Sequence, residues 1–263
     1  MVISSFRGLL ASALLLLALT APRSGHTEER KCQAAVSDVA AGKIQKLVGS
    51  NWTACRLVTV KFRGSDFGDA TAALFESTTD DGTDGIGNPA HNVEMIIVGG
   101  GQVLYRFSQF ASFDRRRFFV DDDLEVRDLT GHGDNAVVFH SGQQGASDSS
   151  IVEHVIYLPP QELLATDVSP TDFVSSWRQA VRWIQFKGIP LVLVAEPLNP
   201  ASINVVHMCH SCPKYYQYLV YRWDTKRQSF VVRQSILSEH DLDAETDPID
   251  ASMSLIQREL ARN

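Results

Sequence analysis

"His132-Gly133-Asp134-Asn135-Ala136-Val137-Val138-Phe139" and "Phe67-Gly68-Asp69-Ala70-Thr71-Ala72-Ala73-Leu74-Phe75" read alike. In both, a tight Gly-Asp turn feeds a short apolar run. A third stretch, "Gly188-Ile189-Pro190-Leu191-Val192-Leu193-Val194", opens in a similar way. Glycine permits the turn, and the apolar run after it suits a buried strand. An echo at several places in one chain, each with a hairpin further on, predicts a fold assembled from repeated strand units.

The surrounding sequence agrees. Short β-branched or aromatic runs occur at 55–62, 70–77, 92–100, 103–107, 117–120, 135–141, 150–158, 189–196, 215–223 and 229–235. Gly, Asp and Asn separate them, which is the pattern of antiparallel strands and hairpins. Gly99-Gly100-Gly101 lies between two such runs and reads as a hairpin turn, not a phosphate cradle. Arg115-Arg116-Arg117, followed by Asp121-Asp122-Asp123, reads as a solvated turn. Three helices are expected beside the strands. The first, 28–48, carries Val36, Ala40, Ile44, Leu47 and Val48 at helical spacing. A mid-chain helix follows the capping pattern Ser169-Pro170-Thr171-Asp172, with Phe173, Trp177, Ala180, Val181 and Ile184 on one face and Gly188 as its stop. The last, 248–262, carries Ile249, Met253, Ile256 and Leu260, with Arg258 and Arg262 near its end. The expected class is α+β, mainly antiparallel β in propeller-like or sandwich-like sheets, with an N-terminal, a mid-chain and a C-terminal helix.

The stretch Asp128-Leu129-Thr130-Gly131-His132-Gly133-Asp134-Asn135-Ala136-Val137-Val138-Phe139 resembles the turn-plus-strand of FG-GAP or VCBS-type repeats. The aromatic hairpin 221–230 is similar to that family's as well. The resemblance implies β-propeller blades and, in many members, calcium held by an Asp-rich turn. Here Asp128, Thr130 and Asp134 are the candidate oxygen ligands. His132 stands where an Asp or Asn is expected, so the turn reads first as structural. Two or three units also fall short of the roughly four blades that a closed ring needs. Asp80-Asp81-Gly82-Thr83-Asp84-Gly85 is acidic too, and reads as a polar loop.

The chain opens with Arg7 and then an apolar run, 8–21, too short to span a bilayer. This is the form of a signal peptide, placed at 1–25. The remainder, 26–263, reads as one exported domain with a sub-boundary near 160–170. The expected location is the secreted or periplasmic space. No later stretch is long and apolar enough to span, so the exported protein is expected to be soluble. The formal charge of −7 lacks the basic footprint of a nucleic-acid binder. A protein or ligand partner is expected, of unstated kind.

Four cysteines, Cys32, Cys55, Cys209 and Cys212, suggest disulfides in an exported chain. Proximity in sequence favours Cys32–Cys55 and Cys209–Cys212. On chain entropy these would stabilise by roughly 3 and 2 kcal/mol. His207, Cys209, His210 and Cys212 are also competent zinc ligands, but structural zinc usually takes two pairs from separated segments. A redox pair would place the thiolate at a helix N-terminus, whereas Pro213 and a tyrosine-rich strand follow Cys212. The staple is preferred over metal and redox.

No nucleophile elbow, His-Glu-x-x-His helix or phosphate loop is present, so no catalytic residue is assigned. Glu153-His154 reads as surface charge. The preferred function is a non-catalytic binding or structural module without cofactor, with the aromatic hairpin 215–230 as its contact surface. The alternatives are a metal-binding protein using residues 207–212 for zinc, with calcium as the ion at the Asp128 turn, and a hydrolase. The hydrolase would join a Ser or Asp to His140, His154 or His207 from distant parts of the sequence.

Overall fold

The computed structural model describes residues 52–63, 68–83, 89–109, 116–144, 149–158, 171–176, 179–198, 214–243 and 245–262, together with Ile44, Lys46 and Leu47. Among these residues twelve strands form three antiparallel sheets of four. Each sheet is a meander of consecutive strands. Sheet one holds β1 (Thr53–Lys61), β2 (Asp69–Thr83), β3 (Pro89–Gly99) and β4 (Gln102–Gln109). Sheet two holds β5 (Arg116–Asp128), β6 (Asn135–Gln144), β7 (Ser149–Ile156) and β8 (Thr171–Ser176). Sheet three holds β9 (Ala180–Phe186), β10 (Ile189–Pro197), β11 (Tyr216–Asp224) and β12 (Ser229–Leu237), and helix α1 (Pro248–Arg262) follows.

Every strand run expected from the sequence falls in a strand, and the echo takes on a spatial meaning. Its three copies open β2, β6 and β10, the second strand of each sheet. The turns before these strands lie side by side. The Asn135 amide donates to the Lys61 carbonyl at 2.8 Å. A Cβ on Gly131 would meet the Gly188 carbonyl oxygen at 3.1 Å, and Gly131 has φ +78°. Glycine is required there by both close approach and conformation.

The sheets stack face to face, because each β strand sends alternate side chains to opposite faces. Sheets one and two share a seam holding Val60, Leu74, Met95, Ile97, Leu124, Val137, Phe139 and Ile156. Sheets two and three share another, built from Leu129, Val138, Val155, Phe173, Val192, Val194 and Trp223. The outer face of sheet three is covered by α1, with Ile249, Leu255, Ile256 and Leu260 against Leu191, Leu193, Tyr218 and Val220. On the outer face of sheet one, Ile44 packs with Phe75, Ile96 and Trp52. Among the described residues the order is therefore Ile44 with Trp52, three sheets and α1, and the sheets do not close into a propeller.

Four expectations need correction, the first being the polar loop read at 80–85, which is strand β2 as far as Thr83. The mid-chain helix is absent: 171–176 and 180–186 are β8 and β9. In β9, Val181 and Trp183 face sheet two while Ala180 and Ile184 face α1, an alternation of period two. The helical stripe was a coincidence of spacing. Gly188 is no helix stop, but the second residue of a tight β9–β10 turn in which Lys187 (φ 51°) and Gly188 (φ 77°) are both left-handed. The Arg-rich and Asp-rich run near 115–123 is no turn either. From Arg116 on it belongs to β5, whose register against β6 shifts between Phe119 and Leu124. Of the three expected helices, only the C-terminal one is present over its full expected length. Ile44, Lys46 and Leu47 are helical, and the rest of 28–48 lies outside the described residues.

α1 is docked by its N-terminus. Asp247 caps it, accepting from the Ile249 and Asp250 amides at 2.9 and 3.0 Å. Arg182 on β9 reaches both Asp247 and Asp250. The buried Tyr218 hydroxyl lies 2.6 Å from Ser252 Oγ and 2.9 Å from the Pro248 carbonyl. No helix among the described residues is long and apolar enough to cross a membrane.

Candidate functional site: a Ser-His-Asp chain across sheet two

Cys32, His207, Cys209, His210 and Cys212 lie outside the described residues, as does the stretch 1–25 expected to be a signal peptide. Cys55 sits on β1, faces the seam between sheets one and two, and its sulfur is in a disulfide. Its partner lies outside the described residues.

Asp128, Thr130 and Asp134, the calcium candidates, do come together. The Asp128 carboxylate accepts the amides of Thr130 (3.0 Å), Gly131 (2.9 Å) and Gly133 (2.7 Å). The Thr130 hydroxyl donates to Asp134 at 2.9 Å, and Arg63 lies 3.5 Å from Asp134. N–H donors and a guanidinium thus face the oxygens that would hold a cation, so the geometry is that of a turn folded around a carboxylate. Burial pushes the Asp128 carboxyl up, but the amides of Thr130, Gly133 and Gly131 outweigh it and hold it below the ordinary carboxylate range. Because the folded value is the lower one, its contribution is full above the ordinary range and is lost as pH falls through the lowered value. Asp128→Ala is expected to cost about 2–4 kcal/mol at neutral pH, and Asp128→Asn about half of that. Urea unfolding at pH 7 and pH 3 checks this. The gap between wild type and Asp128→Asn should shrink in acid.

Three residues from successive strands of sheet two form the chemical feature that the sequence did not reveal. Ser141 is on β6, His154 on β7 and Asp172 on β8. Phe139 pairs with His154 and His154 with Asp172 across the ladder, so the three residues share one face. Ser141, two residues beyond Phe139, reaches His154 diagonally. Its Oγ is 2.7 Å from His154 Nε2, and His154 Nδ1 is 2.7 Å from Asp172 Oδ1. A carboxylate only accepts, so Nδ1 carries the proton toward Asp172 and Nε2 accepts the serine hydroxyl. Phe107 and Phe139 bracket the imidazole, with ring centroids at 4.5 and 4.6 Å. Ser141 and His154 are each 1 % exposed, whereas the Asp172 side chain, on the edge strand, is 45 % exposed. Tyr105, buried on β4 with the Asp172 charge acting on it, has its phenol pushed up to about 12.

No family model, curated protein or solved structure matches this chain.

The opposite face of sheet two carries a second set. His140 Nε2 is 2.8 Å from Glu153 Oε2, the Trp183 indole N–H donates to Glu153 Oε1 at 2.5 Å, and the Arg127 guanidinium sits 4.6 Å from the Trp183 ring centre. Glu153 and His154 do point to opposite faces, but both are buried and neither is surface charge. The signal was their setting: Ile151, Val152, Val155 and Ile156 place apolar residues at both parities, as in a strand covered on both sides.

The aromatic hairpin 215–230 is buried at several of its rings, while Tyr215 is exposed. Tyr216 and Tyr218 are buried on the α1 side, and Trp223 is buried in the seam with sheet two.

Proposed function

We propose that this chain is an exported, soluble binding or structural module built as an open, end-capped stack of three FG-GAP-like blade units. It meets its partner through turns and sheet edges. One observation carries this reading: the centres of both seams and of both outer faces are buried, and Ser141, Glu153 and His154 are buried inside the seams. That leaves loops and edge strands as the contact surface. The placement of the sequence echo on the second strand of every sheet supports the blade reading.

Export rests on the leader and agrees with a disulfide at Cys55. The pairing proposed is Cys32–Cys55 with Cys209–Cys212. Non-reducing peptide mapping of the secreted full chain is expected to return those two bridges. Elemental analysis of the same material should find no stoichiometric zinc. Free thiols at 209 and 212, or one zinc per chain, would replace the staple with the metal reading. For the module itself, affinity capture from the culture medium or cell envelope should retain a saturable, stoichiometric partner. Retention of nothing by the folded chain counts against the module.

A further inference from the structure

We propose that Ser141 is an activated nucleophile, with His154 as its base and Asp172 as the residue that positions the imidazole, and that it accepts the acyl group of small, uncharged esters. This capacity does not depend on the module reading. The two polar sets of sheet two set up the comparison. His140–Glu153–Trp183 joins an imidazole to a carboxylate and an indole. Ser141–His154–Asp172 joins hydroxyl, imidazole and carboxylate in sequence at 2.7 Å each. That is the arrangement in which the base takes the hydroxyl proton and the carboxylate steadies the resulting imidazolium.

The surroundings name the substrate class. Phe107 and Phe139 give the seam apolar walls. Asp172 faces it from the edge strand. A carboxylate beside an apolar seam disfavours an anionic substrate and tolerates a neutral one. Ser141 itself is closed over. Next to it in the ladder come Val152 and then the edge residue Val174, 39 % exposed. We place substrate entry on the β8 side, and β8, at six residues, is the shortest of the described strands.

The step balances without a cofactor. Ser141 Oγ bonds to the ester carbonyl carbon, and its proton passes to His154 Nε2. The bond from carbon to the alcohol oxygen breaks, and the leaving alkoxide takes the proton from Nε2. Water then cleaves the acyl-serine by the same steps. The amides of β6 and β7 pair with one another in the ladder. Amides paired in this way do not serve a developing oxyanion, and the loss of even one such donor costs about 10²–10³ in rate. A missing donor slows acylation and deacylation alike, so turnover is slow and covalent capture by a reactive probe is the readout.

The test treats the folded, mature chain with a fluorophosphonate, which bonds Oγ to phosphorus and expels fluoride. Intact mass and peptide mapping should show a single adduct at Ser141, absent in Ser141→Ala and absent from wild type labelled in urea. Asp172→Asn should slow labelling about 10-fold or more and displace the rate–pH profile, a change that a purely structural carboxylate would not produce. The proposal is overturned if Ser141 of the folded wild type stays unmodified, if the adduct sits on another serine, or if urea leaves the labelling of Ser141 unchanged.

Discussion

A chain ended at Thr246, before α1, is expected to lose cooperative folding and to aggregate. α1 buries Ile249, Leu255, Ile256 and Leu260 against sheet three. At about 2 kcal/mol for each large aliphatic side chain, their removal forfeits about 8 kcal/mol, within the range of a whole domain's stability. It also bares Leu191, Leu193, Tyr218 and Val220 as a continuous apolar sheet face, and terminal units of a stacked repeat need a polar outer surface to stay soluble. Size-exclusion chromatography and thermal melting check the result. A truncated chain that stays monomeric and melts within about 2 kcal/mol of wild type would mean that α1 is an accessory and not a cap. A milder variant isolates the latch: Arg182→Ala breaks the contacts to Asp247 and Asp250 and leaves the apolar contacts of α1 in place.

The second large effect is expected at Phe139→Ala, about 3–5 kcal/mol. Phe139 is fully buried, meets Phe107 edge-on at 5.1 Å and stacks on His154 at 4.6 Å. Removing the ring empties the centre of the seam and leaves the imidazole without one of its two walls. For a domain of this size the melting midpoint should fall by about 10 °C. Phe139→Leu, which keeps most of the volume, should cost under about 1.5 kcal/mol. If the Ala and Leu variants melt alike, the ring is not what fills the seam.

Both sites show how far the sequence was legible. Strands with β-branched runs and Gly or Asn turns were readable because period two and turn chemistry are local signals. Phe173 to Ile184 misled because five apolar residues there also fit a helical stripe, and Pro170 stands where a helix would begin. Strand pairing decided between the two, and pairing depends on residues far away in the chain. That error also hid Asp172, taken for part of a helix cap. Ser141 and His154 were visible as residues, but their meeting needs the pairing of Phe139 with His154, which only the folded ladder sets. The Asp128 turn was found through its resemblance to an FG-GAP turn, and the hydrogen bonds that close it lie within six residues.

An end-capped row of sheets has no circumference to complete. In a ring, the number of blades is fixed by the angle through which each turns. Here each sheet answers only to its two neighbours, and the terminal covers hide whatever face comes last. A duplicated 116–176 segment spliced between β8 and β9 would lengthen the molecule by one layer and leave both covers in place. Such a chain should fold, which makes unit number a free variable in this architecture.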